Sequence, residues 1–446
     1  MGIKEIGCKI HNSEDKVTAV ITHPTGALND EKYRPQFHFT PARNWMNDPN
    51  GLLYYKGEYH LFYQHNPQEN IWGNMSWGHA VSSDLYSWEE LPVAIACTDE
   101  VGIFSGSAVI DYKNTSGFGS KENPAMVAIY TEHKNDKSSQ TQCLAFSLDQ
   151  GRTFTKYEGN PVLDLQTPDF RDPKVQWIDG QWLMTIALPD LHQISFYSSP
   201  NLKEWTHLSN FGPAAETGGC WECPDLFKLN EKWVLLVSLN PGGYQIGSGT
   251  QYFIGEWNDK EFTADDTKTR WLDYGRDNYA GVTFNDAPEG KRIFIGWMSN
   301  WDYANKVPTD PWRSAMTLPR ELSLEGDRLV QKVLPNKKLP TVKFSTSGGT
   351  VRISESSDCF VEIGFNDGKI FMDASNTWYE DLEFHRQEVA TNKKIVDFEI
   401  YIDRGSIELF ADGGKVAITN LLFVETALST VSSTGEVLNL EVINLS

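Results

Sequence analysis

WLMTIAL at residues 182–188 and SSPNLKEWTHL at 198–208 form a unit that recurs along the chain. The first segment is apolar, rich in β-branched and aromatic residues, too short for a good helix and bounded by turn formers, so it reads as a buried strand. Four more runs share that character: YHLFYQ from Tyr59, AMVAIYT from Ala125, WVLLVSLN from Trp233 and RIFIGWMS from Arg292. The five starts are 66, 57, 51 and 59 residues apart. The second segment couples a serine-containing polar turn to an aromatic residue, as do SSDLYSWEEL around Trp88 and SLDQGRTFTKY around Phe154. Strand units of roughly 50 to 65 residues with one polar hairpin each, and no helical period, fit propeller blades rather than a solenoid. Five units predict a five-bladed β-propeller.

The repetition stops after PWRSAMTLPREL, which ends at Leu322. LEGDRLVQKVLPNKKLPTVKF is charged and carries Pro335 and Pro340, as a connector would. The expected division is therefore a propeller over 34–325, a linker over 326–342 and a last domain over 343–446. In that domain CFVEIGF, KIFMDAS, VDFEIYID and SIELFAD alternate apolar and polar residues, with turns at Asp403-Arg404-Gly405 and Asp412-Gly413-Gly414. This pattern predicts a small β-sandwich, making the whole chain all-β. Residues 1–33 carry no clear period and read as an N-terminal extension: a lid, a strap or a frayed tail.

The 446 residues include 39 basic and 60 acidic side chains, a formal charge of −21. A field of that sign repels phosphate backbones and anionic headgroups, which argues against nucleic acid and membrane surfaces as partners. A neutral substrate is indifferent to it. The 12% aromatic share exceeds what packing alone usually demands, and sugars offer C–H faces that stack on such rings. Six scattered cysteines show no paired framework, so they do not assign a redox compartment. The opening MGIKEIGCKIHNSEDKV lacks the apolar core of a signal peptide, so either Met1 is an intracellular start or a targeting segment has been trimmed.

Three carboxylates sit in dense settings beside Pro, Gly or Asn: Asp48 in NWMNDPNG, Asp172 in DFRDPK and Glu222 in CWECPD. A propeller brings equivalent ends of successive blades together around one axis, so residues this far apart in sequence can share a funnel. Glycoside hydrolysis needs such a set: one carboxylate to attack the anomeric carbon, a protonated one to serve the leaving oxygen, and a third to hold hydroxyls. Taken singly, each Asp before Pro is more simply an Asx turn.

NWMNDPNG at 44–51, FSGS at 104–107, RDPK at 171–174, WECPD at 221–225 and NWDYAN at 300–305 resemble the invertase, inulinase and levanase family of β-fructofuranosidases. The likeness runs in order from about Tyr33 to Phe423. It implies Asp48 as nucleophile, Glu222 as general acid/base and Asp172 as the residue gripping the fructosyl 3- and 4-hydroxyls. It further implies that Asn47, Gln64, Trp72, Phe104, Ser105 and Arg171 line the fructosyl subsite, with Tyr279 and Trp301 nearer the rim. The substrate class it implies is sucrose or fructans, with no cofactor and no metal, in a monomer or homodimer that is secreted. On electrostatic grounds the charge of Asp48 should raise the pKa of Glu222, and Arg171 should favour ionised Asp172. Retention requires the Asp48 and Glu222 carboxyls to stand roughly 5 to 5.5 Å apart.

Other signals lead elsewhere or nowhere. Cys220 and Cys223 form a C-x-x-C, but the residues between and after them belong to the acid/base motif and no second pair supplies zinc ligands. His60 and His65, five apart in a strand, face opposite ways. PGGYQIGSG at 241–249 lacks the Lys and Ser/Thr of a phosphate loop. Two alternatives stay open: a fructosyltransferase sharing the covalent intermediate, and a fructan-binding module without turnover.

Overall fold

A computed structural model of the chain describes residues 19–20, 31–377 and 385–443. Five antiparallel sheets surround a central axis, each numbered here as a blade and each running from axis to rim in chain order. Blade 1 contains Asn44–Tyr55, Glu58–Asn66, Ser76–Ser82 and Trp88–Ile95. Blade 2 contains Val101–Ile110, Met126–Lys134 and Gln140–Ser147, the last flanked by the short strands Thr155–Lys156 and Leu163–Asp164. Blade 3 comprises Arg171–Ile178, Gln181–Leu188, Gln193–Ser199 and Thr206–Phe211, and blade 4 Cys220–Leu229, Lys232–Asn240, Gly249–Trp257 and Phe262–Ala264. Blade 5 is built on Tyr279–Thr283, Ile293–Met298, Arg320–Glu325 and Arg328–Val333.

All five apolar runs of the sequence are the second strand of their blade. Such a strand is hydrogen-bonded on both edges and covered by neighbouring blades on both faces, so all but the terminal side chains are buried and the run shows no alternation. The polar repeat lies between the third and fourth strands. In blades 1 and 3, Asp84 accepts from the N–H groups of Tyr86 and Ser87 (2.8 and 2.7 Å), and Asn201 from those of Lys203 and Glu204 (3.0 and 2.9 Å). Trp88 and Trp205 then donate their indole N–H to the carbonyls of Leu85 and Leu202 (3.1 and 2.9 Å). The Ser-Asp/Asn-aromatic spacing is thus one Asx turn locked by an indole.

The ring closes where Trp312–Arg313 pairs in parallel with Asn44 and Trp45 at the start of blade 1. The segment expected as a linker is not one throughout. Arg328–Val333 pairs residue for residue with Arg320–Glu325 as the outer strand of blade 5, so the propeller runs to Val333 and only 334–340 connects. Its charge had suggested a connector, but an outer blade strand has one wet face and is charged for that reason.

Thr341–Ser354 then pairs with Val396–Asp403 through its first half, with Phe360–Asn366 through its second, and with Thr430–Ile443 along its length. The two sheets it joins enclose a core that includes Val342, Phe344, Val351, Ile363, Phe398, Ile400 and Leu409. This is the C-terminal β-sandwich. The N-terminal extension lies mostly outside the described residues; of it, Ala19–Val20 pairs with Thr430–Val431, and Tyr33 packs edge-on to Phe423 at 5.2 Å.

Sandwich and propeller meet over buried charge. His38, ahead of blade 1, places Nδ1 2.8 Å from Asp403 and Nε2 2.8 Å from Glu408. Arg320 of blade 5 donates to Glu408 (2.5 Å), Asp273 (3.1 Å), Gln331 (2.8 Å) and Thr419 (2.7 Å). Each carboxylate is buried and paired, the condition under which such groups are tolerated inside a protein.

Candidate active site

The site lies at one end of the axis, where the N-terminal ends of all five innermost strands converge. Each strand breaks register there against its neighbour: between Met46 and Pro49, Phe104 and Gly106, Arg171 and Lys174, Glu222 and Asp225, and Tyr279 and Val282. A bulge bends a strand and re-aims a side chain. Asp172, Cys223 and Ala280 sit inside three of these bulges with φ of 67°, 46° and 53°. Residues with a Cβ take that left-handed conformation at a cost, and it persists only where the surroundings enforce it. The Asp-Pro pairs of the sequence are therefore not simple Asx turns but kinks that push a carboxylate into the funnel.

Asp48 accepts from Ser105 Oγ at 2.6 Å and from Asn47 Nδ2 at 3.0 Å, while Asn47 Oδ1 is held by the Trp45 indole at 2.7 Å. Asp172 accepts from the Cys223 N–H at 2.9 Å, and its own N–H donates to Thr131 Oγ1 at 3.1 Å. Glu222 accepts from Arg171 Nε at 3.1 Å and from the Tyr279 hydroxyl at 2.5 Å. The Cys223 thiol lies between the other two carboxylates, 3.6 Å from Asp48 Oδ2 and 3.5 Å from Asp172 Oδ2. Carboxylates from blades 1 and 3 thus flank a side chain of blade 4, next in sequence to Glu222.

Burial pushes Asp48 above the ordinary carboxylate range, with the charge of Glu222 adding to it and the bonds from Ser105 and Asn47 opposing it. Burial likewise raises Asp172, to about 7, outweighing Arg171 and reinforced by Glu222 and Asp48. The expected effect of Arg171 is present in direction, since its charge lowers Asp172, but burial outweighs it. Arg171 is Asp172's neighbour in sequence, but its guanidinium turns to Glu222 and to Asp169 (2.8 Å) because the bulge sends the two side chains apart.

The remaining expected residues divide into floor and wall. Gln64 is buried beside Asn50, whose Oδ1, with the amide turned to accept, lies 3.0 Å from Gln64 Nε2. Phe104 stacks on His133 at 4.4 Å, and Trp72, 45% exposed, stands edge-on to it at 6.4 Å. Trp301 stacks on Trp45 at 5.9 Å, and its N–H donates to Ser248. Tyr279 is not at the rim: it is 1% exposed and reaches Glu222 from beneath.

The sequence reading missed Cys223 as part of the site, having weighed it only as half of a C-x-x-C and set that pair aside. It also missed Thr131, Gln140 and Gln142, which hold blade 3 from blade 2. Gln140 accepts from the Phe170 N–H at 2.8 Å, and Gln142 bridges Thr131 (2.8 Å) to the Phe170 carbonyl (2.7 Å). Thr131 ends an apolar run and so carried a faint signal; the glutamines carried none. Among the described residues no group of three His, Cys, Asp or Glu side chains is placed to hold a metal ion.

A propeller that pools three carboxylates, one buried and two half-buried, with an arginine and a wall of indoles at one mouth has the equipment of a glycosidase working with paired carboxylates. The glycosyl hydrolases family 32 N-terminal domain matches residues 38–333, and the family 32 C-terminal domain matches residues 338–444. The chain belongs to this family and is a glycoside hydrolase of the β-fructofuranosidase class. It is 42% identical to the levanase of Bacillus subtilis, over 88% of this chain and 67% of that protein. It is 38% identical to the extracellular exo-inulinase of Aspergillus niger, over 88% and 90%. Among solved structures, the exo-inulinase of Aspergillus awamori superposes with a TM-score of 0.86 at 34% identity, covering 93% of this chain and 98% of that one. The β-fructofuranosidase of Schwanniomyces occidentalis complexed with fructosyl-erythritol gives 0.85 at 33%, covering 93% and 97%.

Proposed function

We propose that the chain releases terminal non-reducing β-D-fructofuranosyl residues from sucrose or fructans by double displacement with retention. Asp48 attacks the anomeric carbon while Glu222 protonates the departing oxygen, and Glu222 then takes a proton from the water that hydrolyses the fructosyl-enzyme. Asp172 binds ring hydroxyls. The observation that carries this reading is the convergence of the three carboxylates on one mouth, with Asp48 held by Ser105 and Asn47, Glu222 by Arg171 and Tyr279, and Asp172 by the Cys223 N–H. Arg171 and Tyr279 orient Glu222, and Ser105 and Asn47 orient Asp48, so the reacting groups meet the substrate without prior rearrangement. Trp72 and Trp301 supply flat faces for sugar rings. Relatives whose names include "extracellular" support secretion.

The test is to follow free fructose, glucose and longer products from sucrose, inulin and levan with the unaltered chain, Asp48→Ala and Glu222→Ala. Fructose release lost by roughly 10³-fold or more in both variants is expected. Glucose appearing with oligofructosides in place of fructose marks a transferase, and binding without release marks a binding module; either overturns the proposal.

A further inference from the structure

The propeller axis has a second mouth, at the C-terminal ends of the innermost strands, and a cavity of about 320 Å³ opens there. It is separated from the carboxylates. Asp172 and Trp177 lie on one strand five residues apart, about 16 Å at the usual strand rise. Between the mouths Asn285 Nδ2 donates to the Ala108 and Val175 carbonyls (2.9 and 3.0 Å), tying blades 2, 3 and 5 together across the axis. A ligand at this mouth therefore does not touch the catalytic groups.

The chemistry of the lining is specific. Tyr112 is 53% exposed among the described residues, its ring 6.3 Å from that of Tyr55 and available at the cavity edge. Trp177 presents a second ring, with the Lys113 ammonium resting 4.5 Å above it, a contact weak enough for a ligand to displace. Arg292 lines the same cavity with its Nε buried and without a hydrogen-bond partner. Buried donors are nearly always satisfied, so this guanidinium in the cavity wall has hydrogen-bonding capacity that the described residues do not fully use and that a ligand with acceptor oxygens could meet. Asp286 at the rim and Gln176 in the wall add an acceptor and an amide.

Rings, a planar cation, a carboxylate and an amide around a volume at the low end of small-ligand pockets match a sugar. Ring C–H faces lie on Tyr112 or Trp177, vicinal hydroxyls accept from Arg292, and another hydroxyl donates to Asp286. An anion fits poorly, because Asp286 stands at the rim and the chain carries a net charge of −21. We propose that this mouth is a second, non-catalytic saccharide site that takes a β-fructofuranosyl unit of a polymeric substrate, so that chain ends are kept near the funnel by tethering. It rests on the fructan-cleaving function proposed above.

The measurement is retention of full-length Asp48→Ala protein in gels containing levan or inulin. Retention that weakens roughly tenfold on adding Tyr112→Ala or Arg292→Gln, neither of which touches the funnel, is the expected result. In the otherwise unaltered chain the same two substitutions should raise the KM for polymer while leaving sucrose hydrolysis unchanged. Tyr112 is exposed enough that its variant tests the site even if Arg292→Gln misfolds. Retention unchanged in the Tyr112→Ala variant overturns the proposal, as does a mouth that binds inorganic phosphate but no fructan. Failure of the parent function is read separately, as absence of fructose release from sucrose by the unaltered chain.

Discussion

Replacing His38 by Gln should remove a large, pH-dependent share of the stability of the propeller–sandwich contact. Both ring nitrogens of His38 face carboxylates, at 2.8 Å to Asp403 and 2.8 Å to Glu408, so the bound form is the doubly protonated cation. Burial works against that charge, but the hydrogen bonds and charges of the two carboxylates outweigh it and raise the pKa from 6.5 to about 9. A tenfold gain in proton affinity corresponds to about 1.4 kcal/mol, so the ion contributes on the order of 3 kcal/mol. Breaking a buried ion pair by removing one partner gives a similar figure, about 3 to 5 kcal/mol. Because the folded pKa is the higher one, this stability is complete below the unfolded value of 6.5 and is lost as pH rises through about 9. Urea unfolding of the unaltered chain and of His38→Gln from pH 6 to pH 10 reads it directly. The gap between them should be about 3 kcal/mol at the acid end and close as the solution becomes alkaline. A gap of constant size across that range would show that His38 acts by shape and not by charge.

Three further outcomes follow from the geometry. Ser105→Ala removes a 2.6 Å bond that favours ionised Asp48, whose pKa burial already raises, so the acid limb of the kcat/KM profile on sucrose should move to higher pH; an unmoved or lowered limb contradicts the nucleophile role. Tyr279→Phe keeps the ring beneath the funnel but deletes the hydroxyl on Glu222, and kcat/KM should fall roughly 10- to 100-fold with the melting temperature little changed; a loss under twofold removes Tyr279 from the machinery. At Gly275 an added Cβ would stand 2.2 Å from the carbonyl oxygen of Thr419 and 2.4 Å from its nitrogen, backbone atoms that cannot swing aside. Gly275→Ala should therefore part blade 5 from the sandwich and cost about 2 kcal/mol in calorimetry or urea unfolding, without changing the KM of the protein that remains folded.

The second strands of the blades were legible because their burial is a local property: wherever a strand is enclosed on both faces, the sequence is continuously apolar. The innermost strands, which carry the chemistry, showed no such run, since their site ends must be polar. They were found through the motifs around Asp48, Asp172 and Glu222 and through the family those motifs resemble. The connector at 326–342 was misjudged for a related reason, because the charged face of an outer strand and a solvated loop look alike until pairing is known.

The sequence by itself therefore determined the number of blades, the all-β class and the sandwich, which rest on local pattern and composition, while the candidate site residues came from the motifs and the family they resemble. Only the tertiary structure decided how those residues act on one another. The direction of Arg171 toward Glu222, the place of Tyr279 beneath the acid, the thiol between two aspartates and the rise of Asp172 to about 7 depend on bulges and on contacts between strands remote in the chain. A sequence neighbour is only part of a side chain's electrostatic surroundings: Arg171 lowers Asp172, but burial with the charges of Glu222 and Asp48 outweighs it. Those charges come from other blades, and they meet only once the ring has closed.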